Sequence, residues 1–199
     1  MSTADKPYSA ACERNREPIL AHLLALFDDR RAVIEIGSGT GQHAVCFGAA
    51  LPHLTWQTTD RLENHDGIRA WLAEAGLGNV RAPLDLDVLL PWPAFSADAA
   101  FSANTSHIMP WPAVEAMFAG LGERLPAGAP FVLYGPFNYA GQYTSQSNAD
   151  FDASLKARDP AMGLRDMTAM RALAGRCGFV LEADHAMPAN NRLLVWRRR

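Results

Sequence analysis

The sequence predicts an α/β fold of three layers, a seven-stranded and mostly parallel sheet with helices on both faces. Three observations carry that expectation. Short apolar runs alternate along the chain with segments of helical periodicity, which implies right-handed crossovers and a parallel sheet covered on both sides. The run Val33-Ile34-Glu35-Ile36 stops in Gly37, Gly39 and Gly41 ahead of a helical segment, the place where an α/β protein holds a ligand against its main chain. The chain's 199 residues allow one sizeable core and are too few for two full α/β domains, so a single domain over 1–199 is expected.

Residues 1–30 read as an N-terminal helical segment. Over 9–28 one or two helices are expected, because Pro18 suits a first turn and Ile19, Leu20, Leu23, Leu24 and Phe27 fall on one helical face. The strand at Val33 follows, then a helix over 42–50 and a second strand from Thr55 to Thr59 ending at Asp60. Residues 66–75 read as helix and Asn79–Leu86 as a third strand. The fourth, Ala97–Ala103, stops at Asn104, and a helix is expected from Ala113 to Leu125. After the turn cluster Pro126-Ala127-Gly128, the apolar run Pro130–Tyr134 is a fifth strand closed by Gly135-Pro136. Residues 138–163, rich in Asn, Gln, Ser, Tyr and Asp, read as an insertion over the active-site face with one helical patch at Phe151–Arg158. A helix at 166–177, a strand at Phe179–Asp184 and a last strand at Arg192–Trp196 complete the seven.

A formal charge of -3 and a pI near 6.0 leave no electrostatic footprint for nucleic acid, and Arg197-Arg198-Arg199 reads as a solvated tail. Cys12, Cys46 and Cys177 are far apart and form no C-x-x-C, so neither a disulfide framework nor a metal site is expected. A reduced, cytoplasmic setting fits them. No apolar run approaches the ~20 residues that cross a bilayer.

The glycine spacing narrows the ligand. A dinucleotide fingerprint G-x-G-x-x-G needs glycine at position 42, where this chain has Gln42. Three alternating glycines after an acidic strand residue are instead the pattern of S-adenosylmethionine (SAM) methyltransferases. Gly37, Ser38, Gly39 and Gly41 are the expected cofactor loop, and Glu35 organises it or receives the ammonium group through water. Asp60 lies about twenty residues further on, at a strand end, the spacing at which a carboxylate accepts from both ribose hydroxyls. Asp85 or Asp87 would approach the adenine amino group, the other serving as a turn or cap. The alternative reading of Asp60 is an ordinary strand-end aspartate.

At these positions the sequence resembles the methyltransferase-like family of domain of unknown function 938, the methyltransferase-like 26 group. The likeness runs nearly end to end. It is carried by Glu13-Arg14-Asn15 with Pro18-Ile19-Leu20, Ser38-Gly39-Thr40-Gly41-Gln42-His43, Trp56-Gln57, Leu86-Asp87-Val88, Asn104 with His107, and Tyr134-Gly135-Pro136. Further matches are Gln146-Ser147-Asn148 with Phe151-Asp152, Gly163-Leu164-Arg165-Asp166 and Met187-Pro188-Ala189-Asn190-Asn191. The resemblance implies the Rossmann-like class I SAM-dependent methyltransferase fold, and it favours Asp87 over Asp85 as the third-strand acid. Its relatives often carry alanine at the position of Gly37 and Pro-Ser at that of Thr58-Thr59.

Methyl transfer needs its nucleophile held close to and in line with the departing sulfur, and a base only for some acceptors. Asn104 ends the fourth strand, where its amide would orient cofactor or acceptor. It is not followed by the Pro-Pro-aromatic pattern of enzymes that methylate nucleic-acid bases. His107 would take a proton from a hydroxyl or amine acceptor, with a pKa near neutral unaided, or would pair in a buried network. Tyr134 would line the methyl pocket or simply close an apolar strand. Asn148, Asp152, Arg165, Asn190 and Asn191, with Asp166, would bind substrate if they converge. Arg165 suits a carboxylate or phosphate, with an ion pair to Asp166 or Asp159 as the alternative. Asn190-Asn191 would otherwise build a tight turn. The expected activity is methyl transfer from SAM to a small-molecule acceptor, with S-adenosylhomocysteine as product. A non-catalytic interaction module on the same fold is the alternative, and an NAD-dependent oxidoreductase is disfavoured by Gln42.

Overall fold

The computed structural model describes residues 6–199. They divide into two compact units, one ending at Phe101 and the other running from Ser102 to Arg199.

The first unit opens with helix α1 (Ala10–Leu26), capped by Ser9, whose hydroxyl accepts from the Cys12 N–H. Pro18 lies inside this helix rather than in a first turn. The missing proline N–H costs the exposed Arg14 carbonyl its partner, where water can replace it. Buried Asn15, Ile19 and Leu23 continue one face across the proline and hold the helix in one piece. Leu24, expected on that face, is exposed.

Strand β1 (Ala32–Ile36) leads through the glycine loop to α2 (Gln42–Ala50). β2 (Thr55–Asp60), α3 (His65–Ala75), β3 (Val80–Asp85) and β4 (Ala99–Ala103) follow. β1 pairs in parallel with β2 and β4, and β2 with β3. Pro83 is tolerated in β3 because that strand is the sheet's edge. The core here is an aromatic cluster of Phe27, Phe47, Trp56 and Phe101, with ring centroids 5.4–6.3 Å apart.

The second unit contains α4 (Trp111–Arg124), β5 (Pro130–Gly135), β6 (Phe137–Asn138), α5 (Gln146–Arg158), β7 (Arg165–Asp166), α6 (Met167–Arg176), β8 (Phe179–Met187) and β9 (Asn191–Arg198). α4 starts earlier than expected, since Pro112 in its first turn needs no N–H acceptor. α5 is also longer than the predicted patch. Its start is set by Ser145, whose Oγ accepts from the Asn148 N–H at 3.1 Å. β6 and β7 form a two-stranded parallel pair that no sequence pattern announced. β9 runs antiparallel to both β5 and β8, and Phe118, Phe131, Phe179 and Trp196 pack as this unit's aromatic core.

Within the first unit the hydrogen-bonded strand order is β3-β2-β1-β4, and within the second it is β5-β9-β8. Consecutive strands thus run outward from β1 to one side as far as β3, and β4 returns to β1's other flank. That reversal at the carboxyl end of β1 is the topological switch point where open α/β sheets bind ligands.

Candidate functional site

The three glycines of the loop after β1 have different duties. All adopt positive φ, at 72° for Gly37, 59° for Gly39 and 90° for Gly41. A Cβ on Gly41 would stand 3.2 Å from the Ile68 Cα and 3.4 Å from the Trp71 Cβ, so this glycine permits α2 to start against α3. A Cβ on Gly39 would meet nothing within 4 Å. Space beside exposed Gly39 is therefore open to a ligand, and Gly41 serves packing.

Below the loop lies a buried hydrogen-bonded core. One carboxylate oxygen of Glu35 accepts from the Ser38 hydroxyl at 2.8 Å and from the Trp56 indole N–H at 3.0 Å. Ser38 and Thr59 exchange further bonds: the Ser38 N–H donates to the Thr59 carbonyl and the Thr59 N–H to the Ser38 hydroxyl, at 2.9 and 3.1 Å. Burial pushes the Glu35 pKa up to about 7, against the lowering effect of its two donors, and Asp60 adds a further upward push. Glu35 and Ser38 thus shape the loop from beneath.

Asp60, at the end of β2, joins the loop directly. One of its oxygens accepts the Gly39 N–H at 2.7 Å, and the other accepts from the Arg61 N–H and the Asn64 amide at 2.8 Å each. The imidazole of His65 is 2.9 Å from the Asp60 carbonyl, and its Nδ1 is buried without a partner. Of the two third-strand acids, Asp85 ends β3 exposed, whereas Asp87 is half-buried and accepts the Leu89 N–H at 3.0 Å. Asp87 thus forms a turn through one of its oxygens. Gln42 does what a fingerprint glycine cannot: its side-chain oxygen accepts from the Ser9 N–H at 2.6 Å and the Thr40 hydroxyl at 3.0 Å, tying the N-terminal segment to the loop.

In the second unit Asn104 adopts left-handed φ of 59°, and its N–H donates to the Tyr134 carbonyl at 2.8 Å. Tyr134 itself is buried in β5. His107 is buried with its Nδ1 unpartnered, and its ring meets Phe151 edge-on at 5.2 Å. The near-neutral pKa expected of this histidine does not hold. Burial first, then the charges of Arg165 and Arg158, lower it to about 4, so at neutral pH the imidazole is uncharged.

The polar set of the second half converges only in part. Asn148 donates to the Thr144 hydroxyl at 2.8 Å and to the Asn190 carbonyl at 3.1 Å, and the Asn190 amide donates to the Ser147 hydroxyl at 3.2 Å. Asn190 is in the left-handed region, and Asn191 donates to the Pro188 and Ala189 carbonyls, so the pair builds the turn between β8 and β9. Asp152 is buried and accepts from Tyr143 Oη, Lys156 Nζ and the Leu164 N–H at 2.6–2.7 Å. Asp166 caps α6 by accepting the Thr168 N–H and also takes the Gly141 N–H. Arg165 forms an ion pair with neither Asp166 nor Asp159. Its guanidinium donates to the carbonyls of Ser106 (2.8 Å), Met109 and Ala161 (3.2 Å), and so clamps the turn that carries His107. The sequence marks Gly135 only as the close of a strand and gives no signal for the buried Ser106. Among the described residues no group of His, Cys, Asp and Glu could hold a metal ion, and no helix is long and apolar enough to cross a membrane.

Known proteins bear on these geometries. The pattern of the family described as "Protein of unknown function (DUF938)" matches residues 6–198. The chain belongs to the DUF938 family. Its fold is that of the class I methyltransferases, as solved structures make clear. The DUF938 chain matches an O-methyltransferase family protein from Burkholderia thailandensis at 18% identity and a TM-score of 0.82, covering 94% of this chain and 57% of that one. It matches the mitomycin 7-O-methyltransferase at 18% identity and 0.80, covering 96% and 56%. Human N-acetylserotonin methyltransferase, in complex with SAM, matches at 14% identity and 0.75, covering 94% and 52%. The DUF938 chain thus spans a little over half the length of these proteins.

Proposed function

We propose that this DUF938 protein binds SAM on the loop after β1 and transfers its methyl group to a small acceptor. The observation that carries the reading is the open backbone at Gly39, whose N–H is held by Asp60 at the carboxyl end of the adjacent strand. A ligand lying along the loop meets no Cβ there, and the Asp60 carboxylate is available to ribose hydroxyls once it exchanges the Gly39 N–H for them. Asp85 and Asp87 stand at the end of the next strand as candidates for the adenine amino group. When bound, SAM supplies an electrophilic methyl carbon on a sulfonium. The acceptor's lone pair forms the new bond to that carbon, the C–S pair stays on sulfur to give S-adenosylhomocysteine, and the acceptor's proton leaves to water or to a base. Asn104 and His107 are the groups proposed to meet the acceptor, with Tyr134 behind them.

Calorimetry with SAM and with S-adenosylhomocysteine tests the binding step. Micromolar affinity is expected, severely weakened in Asp60→Ala and Gly39→Val, and an absence of heat with either ligand would refute the reading. Methyl-labelled SAM offered to metabolite extracts tests turnover, with labelling expected to disappear in Asn104→Ala and His107→Ala. SAM binding without any labelled product would instead identify a non-catalytic module.

A further inference from the structure

The Oγ of Ser106 and the Nδ1 of His107, adjacent in sequence and both buried, have no hydrogen-bond partner. A buried polar group left unpaired costs about 1–3 kcal/mol, so a turn carrying two of them is made to meet a partner that the chain does not supply. The direction in which His107 faces is given by Gly135. A Cβ on that glycine would stand 3.6 Å from the His107 Nδ1 and 3.9 Å from the Asn104 Oδ1, and nothing else lies within 4 Å. The space over this glycine, the size of a methyl group, thus forms a small recess with two polar side-chain groups beside it.

The walls are held from outside. Asn104 reaches the recess through its left-handed backbone, and the His107 carbonyl accepts the Gly163 N–H at 2.9 Å. Arg165 grips the carbonyls of Ser106 and Met109. The Phe151 ring, against His107, is 39% exposed and offers an aromatic surface beside the polar floor. The charges acting on His107 are those of Arg165 and Arg158, both positive, while the carboxylate of Asp152 is already bonded to Tyr143, Lys156 and the Leu164 N–H. An ammonium is repelled by such surroundings, and an oxygen carrying negative charge is favoured.

We infer that this recess binds the hydroxyl of a phenol, with the oxygen against Gly135 between His107 and Asn104 and the ring beside Phe151. The hydroxyl donates to the imidazole nitrogen, and the Asn104 amide, which can present either its oxygen or its nitrogen, completes the pair. That this phenol is the methyl acceptor rests on the methyltransferase reading above. Its binding does not require SAM.

The test uses the whole protein without cofactor and 4-nitrophenol as probe, whose absorption reports its ionisation and surroundings. Saturable binding with a shifted spectrum is expected, weakened by about tenfold or more in Gly135→Ala, because the added methyl occupies the oxygen's place. That methyl stands at ordinary van der Waals distance from both walls, and an unchanged melting temperature checks that the variant folds. Phenol should displace the probe and benzylamine should not. The inference is overturned by a lack of saturable binding, by equal affinity in a folded Gly135→Ala, or by displacement with benzylamine. Calorimetry with SAM separates the two claims: probe binding lost with SAM binding intact refutes the recess alone, and the reverse refutes the cofactor reading alone.

Discussion

Glu35→Gln should change how stability depends on pH, in a direction opposite to that of most carboxylates. In the folded chain the Glu35 pKa is raised from 4.5 to about 7, so between those values the native state holds a proton that the unfolded state has lost. Stability from this group is fully present below the unfolded value and is lost as pH rises toward the folded one. A shift of that size corresponds to ~3 kcal/mol, of which roughly 2 kcal/mol falls between pH ~5 and pH ~7.5. His43 and His107 act the other way. Each is lowered from 6.5 to about 4, chiefly by burial, so each adds stability as pH rises through that interval. The wild-type profile is the sum of these opposed slopes, and only the difference between proteins isolates Glu35.

Glutamine preserves the shape of the site. Its amide oxygen accepts from Ser38 and Trp56 as the carboxylate does, and it cannot ionise. Urea unfolding of both proteins at several pH values gives the difference directly. Glu35→Gln should gain roughly 2 kcal/mol on the wild type between pH ~5 and pH ~7.5, with its profile rising more steeply. Parallel profiles would refute the reasoning, because they would mean that Ser38 and Trp56 stabilise the buried carboxylate fully against its desolvation.

Two further predictions follow from the loop and the clamp. Gly41→Ala combines a positive φ with a Cβ 3.2 Å from the Ile68 backbone, so it should lose about 2–3 kcal/mol in urea unfolding, whereas Gly39→Ala, with nothing nearby, should lose only about 1 kcal/mol. Arg165→Met strips partners from the Ser106, Met109 and Ala161 carbonyls and should speed amide hydrogen exchange across 106–110; Arg165→Lys should not restore protection, because an ammonium lacks the planar fork.

The parts of the fold that were legible are those where one local rule decides. The glycine loop, the strand-end Asp60 and the alternation of strands with helices needed only backbone conformation and periodicity, and each sits where it was expected. The misreadings occur where a distant partner outweighs the local rule. Pro18 looked like a helix start until buried residues on both sides of it bound one continuous face. Arg165 looked like an anion receptor or half of an ion pair, and carbonyls well over fifty residues earlier in the chain claim it. α5 is longer than its sequence suggests because its polar composition hides the periodicity, although Ser145, immediately before the helix, is a residue type that caps helix starts.

The same contrast explains why the two ends of the proposed reaction differ in how far they can be read. A cofactor loop is a backbone device, and backbone devices leave glycines at fixed spacing. The proposed acceptor recess depends on what is missing: a side chain at Gly135 and a partner for the His107 Nδ1. No spacing encodes an unpaired nitrogen. Substrate choice is therefore expected to follow the residues around this recess, and substitutions at 107 and 151 should alter which acceptors bind while leaving the affinity for SAM unchanged.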